Sequence, residues 1–162
     1  MQSTFRKTLS KEKALQKIRH YCDYQERCHR EVKQKLYSFG IGKKEAEEIL
    51  SQMVEENYLN EERFAIAFAG GKFRMKQWGR VKIKYELKQK KVSEYCIKKA
   101  MKEIDEGDYK KTLHKLAETK WKTLKSGENI FIKKGKLQDY LLRKGYEIGL
   151  INEALETLQQ KE

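Results

Sequence analysis

"VKIKYELK", Val81 to Lys88, alternates apolar and polar residues, and read alone it is a half-buried β-strand. Whether it is a strand or a helix decides the fold. The rest of the chain answers. With Val32 set against Ile83 and Leu137, eight columns align at offsets of 51 residues (32 to 83) and 54 (83 to 137). Seven columns are apolar in all three copies: Val32/Ile83/Leu137, Leu36/Leu87/Leu141, Ile41/Val92/Tyr146, Ala46/Ile97/Ile151, Ile49/Ala100/Ala154, Leu50/Met101/Leu155 and Met53/Ile104/Leu158. The eighth is Gly40/Lys91/Gly145, where the second copy departs. Apolar columns three and four apart, recurring about every fifty residues, mark a repeated helical unit. In that register Ile83 and Leu87 stand where Val32 and Leu36 stand. "VKIKYELK" is therefore a helix, with Val81 and Tyr85 turned towards a neighbouring unit.

Each copy has the same grammar. In the first, Val32, Leu36 and Phe39 share a face, Gly40 ends the helix, and "GKKEAEEILSQM" opens a second apolar stripe. A further helix precedes each pair. Ala14, Leu15, Ile18 and Cys22 line one face of the first, and Asn60 caps the second ahead of Glu61 and Glu62. Asp108 opens the third. The expected architecture is all-α: about nine helices in an elongated array of three-helix units. The tail covers residues 1–10, and the units cover 11–57, 58–106 and 107–162. The same register disfavours a strand at "NIFIK" (Asn129 to Lys133). Gly70 and Gly71 are expected to interrupt a helix, and with the "SGEN" turn at Ser126 would let the units bend.

Composition agrees. The 162 residues contain no proline, and short turns between helices need none. Three cysteines, an odd number, argue against a disulfide framework and for a reducing cytoplasm. No apolar run is long enough to cross a bilayer, and "MQSTFRKTLS" lacks a secretory core. The excess of 37 basic over 24 acidic residues favours an anionic partner.

No catalytic set can be nominated. "GIGKK" lacks the spacing and the Ser/Thr of a phosphate-binding loop. His20, Cys22, Cys28 and His29 match no common zinc spacing; Cys22 belongs to an apolar stripe and Cys28 falls at a helix cap. His114 is alone on its helix. Neither metal nor cofactor is expected. The positive charge concentrates in "KFRMKQWGRVKIKYELKQKK", Lys72 to Lys91, where nine of twenty residues are Lys or Arg and only Glu86 is acidic. On a helix Arg80, Lys84, Lys88 and Lys91 form one stripe. Like charges at that spacing repel, and nothing inside the protein is expected to offset the repulsion. The candidate electrostatic contacts are Arg63, Lys72, Arg74, Lys76, Arg80, Lys82, Lys84, Lys88 and Lys91. Trp78 and Tyr85 are candidates for aromatic contact.

"YLNEERFAIAF" (Tyr58 to Phe68) followed by "WGRVKIKYELKQKKVS" (Trp78 to Ser93) resembles the bacterial RecX regulatory proteins, and "YQERCHREVKQKLYSFGI" (Tyr24 to Ile41) is similar to that family's first-repeat segment. The likeness runs over roughly residues 11 to 160 and implies tandem three-helix units. It also implies a non-enzymatic modulator of the RecA recombinase; the chain itself is expected to be a monomer. Such proteins bind the RecA–single-stranded DNA filament and suppress its ATP hydrolysis and strand exchange, with consequences for recombination and repair. Tyr58, Leu59, Arg63, Phe64 and Ala65 match one family segment, with Arg63 the exposed candidate; Gly79, Ile83 and Leu87 match the next. Three positions depart. Asn60 stands for an acid, Cys28 for a serine cap, and Lys91 for a glycine, so the turn before Val92 is expected to be built differently. Two rivals need no recombinase regulation: a general basic nucleic-acid-binding helical protein, and a scaffold whose binding barely responds to salt.

Overall fold

The computed structural model describes residues 8–124, 127 and 129–160. Among the described residues there are nine helices and no strand: α1 (Lys11–Tyr24), α2 (His29–Ser38), α3 (Lys43–Glu55), α4 (Glu61–Lys76), α5 (Arg80–Gln89), α6 (Glu94–Lys102), α7 (Glu106–Thr123), α8 (Ile130–Lys144) and α9 (Ile148–Gln160). "VKIKYELK" is helical throughout, inside α5. Ile83 and Leu87 are completely buried, as are Val32, Leu36, Leu137 and Leu141 in the matching columns. Burying each such side chain is worth roughly 2 kcal/mol, and this outweighs the strand preference of a short alternating run. Val81 and Tyr85 do not meet a neighbouring unit. Both are more than half exposed, which corrects their expected direction.

The turn between the second and third helices is the same in all three copies. Gly40, Lys91 and Gly145 all adopt positive φ, at 83°, 62° and 97°. The amides of Ile41, Val92 and Tyr146 then donate to the carbonyls of Leu36, Leu87 and Leu141 at 3.2, 3.1 and 3.2 Å. Lys91 therefore does not change the turn; it accepts a left-handed conformation that disfavours any side chain. The expectation of a different construction there is corrected.

Two other local expectations change. α4 runs without a break through Gly70 and Gly71, because Phe64, Ala65, Ala69 and Phe73 bury one continuous face. The cap of α7 is Asp105, whose carboxylate accepts from the Asp108 amide at 2.9 Å, so the helix begins before Asp108. Asn60 caps α4 as expected, accepting from the Arg63 amide at 2.9 Å. Of the "SGEN" turn, Ser126 and Glu128 lie outside the described residues.

Buried side chains gather into two clusters. One joins Ala14, Ile18, Val32, Leu36, Ala46, Ile49 and Met53 from α1, α2 and α3. The other runs without interruption from α4 to α9, and from the first three helices it takes only Cys28. The second and third trios thus share a core, while the first keeps its own.

Candidate basic interface

The candidate cations fall into two groups. Arg80, Arg63, Lys72 and Lys82 are engaged within the protein. The Arg80 guanidinium pairs with Glu147 at 2.9 Å and with Glu106, and lies 3.8 Å from the centre of the Tyr109 ring. Tyr109 accepts from the Arg80 amide at 3.0 Å and donates its hydroxyl to Glu147. Burial, and the bond to the Glu147 carboxylate, push the Tyr109 phenol well above its ordinary value. Arg80 does gain something inside the protein, contrary to expectation: it fastens α5 to α7 and to the turn before α9.

Arg63 is half-buried rather than exposed. It pairs with Glu26 of the loop after α1, and reaches Asn57 Oδ1 at 3.2 Å and the Tyr58 carbonyl at 3.4 Å. Lys72 and Lys82 bracket the Trp78 ring, their Nζ atoms 5.0 and 4.5 Å from its centre. Trp78 itself packs edge-on against Phe68, with ring centres 6.5 Å apart. It is half-buried and leans on the core more than it faces solvent.

Arg74, Lys76, Lys84, Lys88 and Lys91 are exposed and form no ion pair among the described residues. Lys84, Tyr85 and Lys88 are all exposed on α5, with Lys84 and Lys88 one turn apart on one side of it. Arg74 lies along its own helix, its guanidinium against the bare Cα of Gly70. Lys91 is drawn aside. It lines a groove of about 480 Å³ with Lys90 and, from α2, Arg30 and Lys33. Those two α2 residues were invisible to a reading that stayed within the second copy.

Where the middle trio meets the last, main chain touches main chain. The Gly79 amide donates to the Lys144 carbonyl at 2.7 Å, and the Val81 amide to the Gly145 carbonyl at 2.9 Å. The free amides that start α5 thus satisfy the free carbonyls that end α8. A Cβ on Gly79 would stand 2.3 Å from the Gly145 oxygen, and a Cβ on Gly145 would stand 2.3 Å from Lys82 Cβ. Tyr146 adds a hydroxyl bond to the Gln77 carbonyl at 2.9 Å, and its ring centre lies 5.1 Å from that of Tyr109.

Where the first trio meets the middle one, charged side chains do most of the work. Glu31 accepts from the Cys28 thiol at 3.3 Å and pairs with Lys90 of the middle trio at 3.4 Å and with Arg27 at 3.8 Å. Arg30 donates to the Gln89 carbonyl, and Arg63 pairs with Glu26. Cys28 stands at the N-terminal cap position of α2, where its thiol bonds the Glu31 carboxylate rather than a main-chain amide; it is fully buried, and desolvation pushes the thiol up to about 11. Cys22 lies on the buried stripe of α1. No group of three or more His, Cys, Asp or Glu side chains among the described residues could hold a metal ion. No described helix is long and apolar enough to cross a membrane.

Fold and surface together define a class: tandem three-helix repeats carrying unpaired lysines and an open aromatic ring on the middle unit. The particular family follows from two matches. The family descriptions "RecX, second three-helix domain" and "RecX, third three-helix domain" fit residues 60–101 and 108–155. The chain belongs to the RecX family. It is 34% identical over 134 residues to "Regulatory protein RecX" of Clostridium perfringens (strain 13 / Type A), covering 82% of this chain and 62% of that one. It is 35% identical to the protein of the same name from Clostridium tetani (strain Massachusetts / E88), covering 72% and 54%. The chain thus spans somewhat more than half the length of these relatives. Its fold is similar to the crystal structure of RecX from Lactobacillus salivarius, with a TM-score of 0.83, 22% identity and coverage of 93% and 97%.

Proposed function

We propose that this protein regulates the RecA recombinase by binding the RecA–single-stranded DNA filament, lowering ATP hydrolysis and strand exchange without chemistry of its own. The observation that carries the proposal is the outer face of α5. Lys84 and Lys88 stand one turn apart, exposed and without an ion pair among the described residues, on the same helix as the exposed Tyr85. Family membership supplies the class of partner. Of the candidate residues, Arg74, Lys76, Lys84, Lys88 and Lys91 make the intermolecular contact, with Tyr85 beside them. Arg63, Lys72, Arg80 and Lys82 hold the surface in shape. Phosphate and acidic protein side chains both suit such a face, and binding through it weakens steeply with salt. A ligand that prefers one filament state needs no catalytic group to change the filament's activity.

The test is co-sedimentation with preformed filaments, run beside anisotropy on the bare strand. Replacing Lys84, Lys88 and Lys91 by alanine removes three exposed charges. It should weaken filament binding by tenfold or more, at about 1 kcal/mol per lost contact, and leave helicity unchanged. Unchanged filament affinity at low and moderate salt contradicts the assignment. Equal affinity of the native chain for bare strand and filament favours a plain nucleic-acid-binding protein instead.

A further inference from the structure

The first trio carries a second surface that the basic stripe does not explain. α1 and α2 border a groove of about 850 Å³ whose wall holds Lys17, Tyr21, Tyr24, Arg27, Lys35 and Phe39, with no carboxylate lining it. Lys17, Tyr21 and Tyr24 follow at helical spacing on one face of α1, and Lys35 and Phe39 come from the end of α2. Rings and cations alternate along it. Lys17 Nζ lies 5.8 Å from the Phe39 ring centre, and Lys35 Nζ lies between Phe39 and Tyr21 at 5.7 and 5.4 Å.

Arg27 is fixed in place. Its guanidinium stacks 3.7 Å from the centre of Tyr21, its Nε donates to the Tyr21 carbonyl at 3.0 Å, and Glu31 pairs with its far end. Tyr24, by contrast, is 77% exposed. Lys17 and Lys35 form no ion pair among the described residues. The groove therefore offers an exposed tyrosine ring that Arg27 approaches only at 6.0 Å, two ammonium groups that touch rings but no carboxylate, and a planar guanidinium held rigid beside them.

That combination selects its ligand. A free phosphate or an acidic peptide uses the cations and leaves the rings idle. A duplex keeps the faces of its bases stacked on one another. A single strand presents bases and phosphates in alternation, with base faces free to stack on tyrosine and charge free to meet lysine. We infer that the α1–α2 groove binds single-stranded nucleic acid, with Tyr24 as the stacking face for a base and Lys17 and Lys35 at the flanking phosphates. This site lies on a different trio from the α5 face and needs no recombinase, so it stands independently of the filament reading.

The experiment uses the full chain without recombinase, at low salt. It compares a labelled oligothymidylate of about a dozen nucleotides with an abasic phosphodiester strand of equal length. The native chain should prefer the strand with bases by at least about fivefold, the lower end of what one stacked base contributes. Tyr24→Ala should abolish that preference and Tyr24→Phe should keep it. Lys17→Ala with Lys35→Ala should weaken both strands alike. Equal affinity of the native chain for the two strands, or a preference unchanged in Tyr24→Ala, overturns the inference. Tyr24→Trp gives a second readout: relative to the native chain, its emission should be quenched more by the oligothymidylate than by the abasic strand, and equal quenching also overturns it.

Discussion

Where α5 meets α8, two glycines lay main chain on main chain; where α2 meets the middle trio, long charged side chains reach across. The first joint is closed by the Gly79–Lys144 and Val81–Gly145 backbone bonds, the Arg80–Glu147–Tyr109 network and a core shared by six helices. The second rests on Glu31 with Lys90, Glu26 with Arg63, and one buried thiol. The repeat is the same on both sides of each joint, yet the chemistry differs. Backbone contact without room for a Cβ makes a joint with one geometry. Partly exposed ion pairs make one whose strength depends on salt and on long, mobile side chains. The last six helices should therefore unfold as a body, with the first three attached more weakly.

That contrast can be broken, and most directly at the glycines. Gly145→Ala adds a Cβ where Lys82 already sits and where φ is 97°. About 3 kcal/mol of stability should be lost, from overpacking and left-handed strain together. Gly79→Ala should behave alike, since its obstacle is the Gly145 main chain rather than a movable side chain. Denaturant unfolding checks both; a loss below about 0.5 kcal/mol would mean that the joint yields easily.

Next in size is Arg80→Ala, which leaves Glu147 and the Tyr109 ring without their cation but keeps the main-chain bond to the Tyr109 hydroxyl. A loss of about 2 kcal/mol is expected, smaller than for a fully buried pair because Glu147 is partly exposed. It should exceed the loss in Lys84→Ala severalfold, although both residues stand on α5. Equal losses would return Arg80 to the solvent-facing stripe.

Alkali sharpens the contrast through Cys28. Its folded value of about 11 lies above the ordinary value near 9, so its contribution is complete below pH 9 and is lost as pH rises through 11. Cys22, also buried and also pushed up to about 11, loses its contribution over the same window, so Cys28→Ala should make this part of the profile shallower by about 2 kcal/mol rather than flat. A native profile already falling between pH 7 and 9 contradicts that reading.

Two smaller effects have opposite sign. Lys91→Gly relieves a left-handed side chain and should stabilise by about 1 kcal/mol, visible as a raised melting temperature. Arg63→Ala should cost about 0.5 kcal/mol at low salt and less at high salt, because both partners of its ion pair are about a third exposed. An Arg63 effect that is larger and indifferent to salt would make the second joint as rigid as the first.

The fold was legible because the repeat outvoted the local pattern: Ile83 and Leu87 read correctly once placed beside Val32 and Leu36. The turn at Lys91 was misjudged because residue type alone does not reveal that a following hydrogen bond, Val92 to Leu87, will enforce the backbone. Arg80 and Arg63 were misjudged for another reason. Their acids lie 67 and 37 residues away in the chain, and no helical spacing reports such partners. The α1–α2 groove left a trace in the spacing of Lys17, Tyr21 and Tyr24. Its meaning depended on which face of α2 lies alongside, a tertiary fact.

The most direct measurement is ATP hydrolysis by preformed RecA filaments on single-stranded DNA, titrated with this protein, with a parallel arm containing excess free strand. Regulation of the filament predicts loss of hydrolysis at well below one molecule per recombinase subunit, surviving the excess strand. Hydrolysis that is untouched, or fully restored by the added strand, contradicts it.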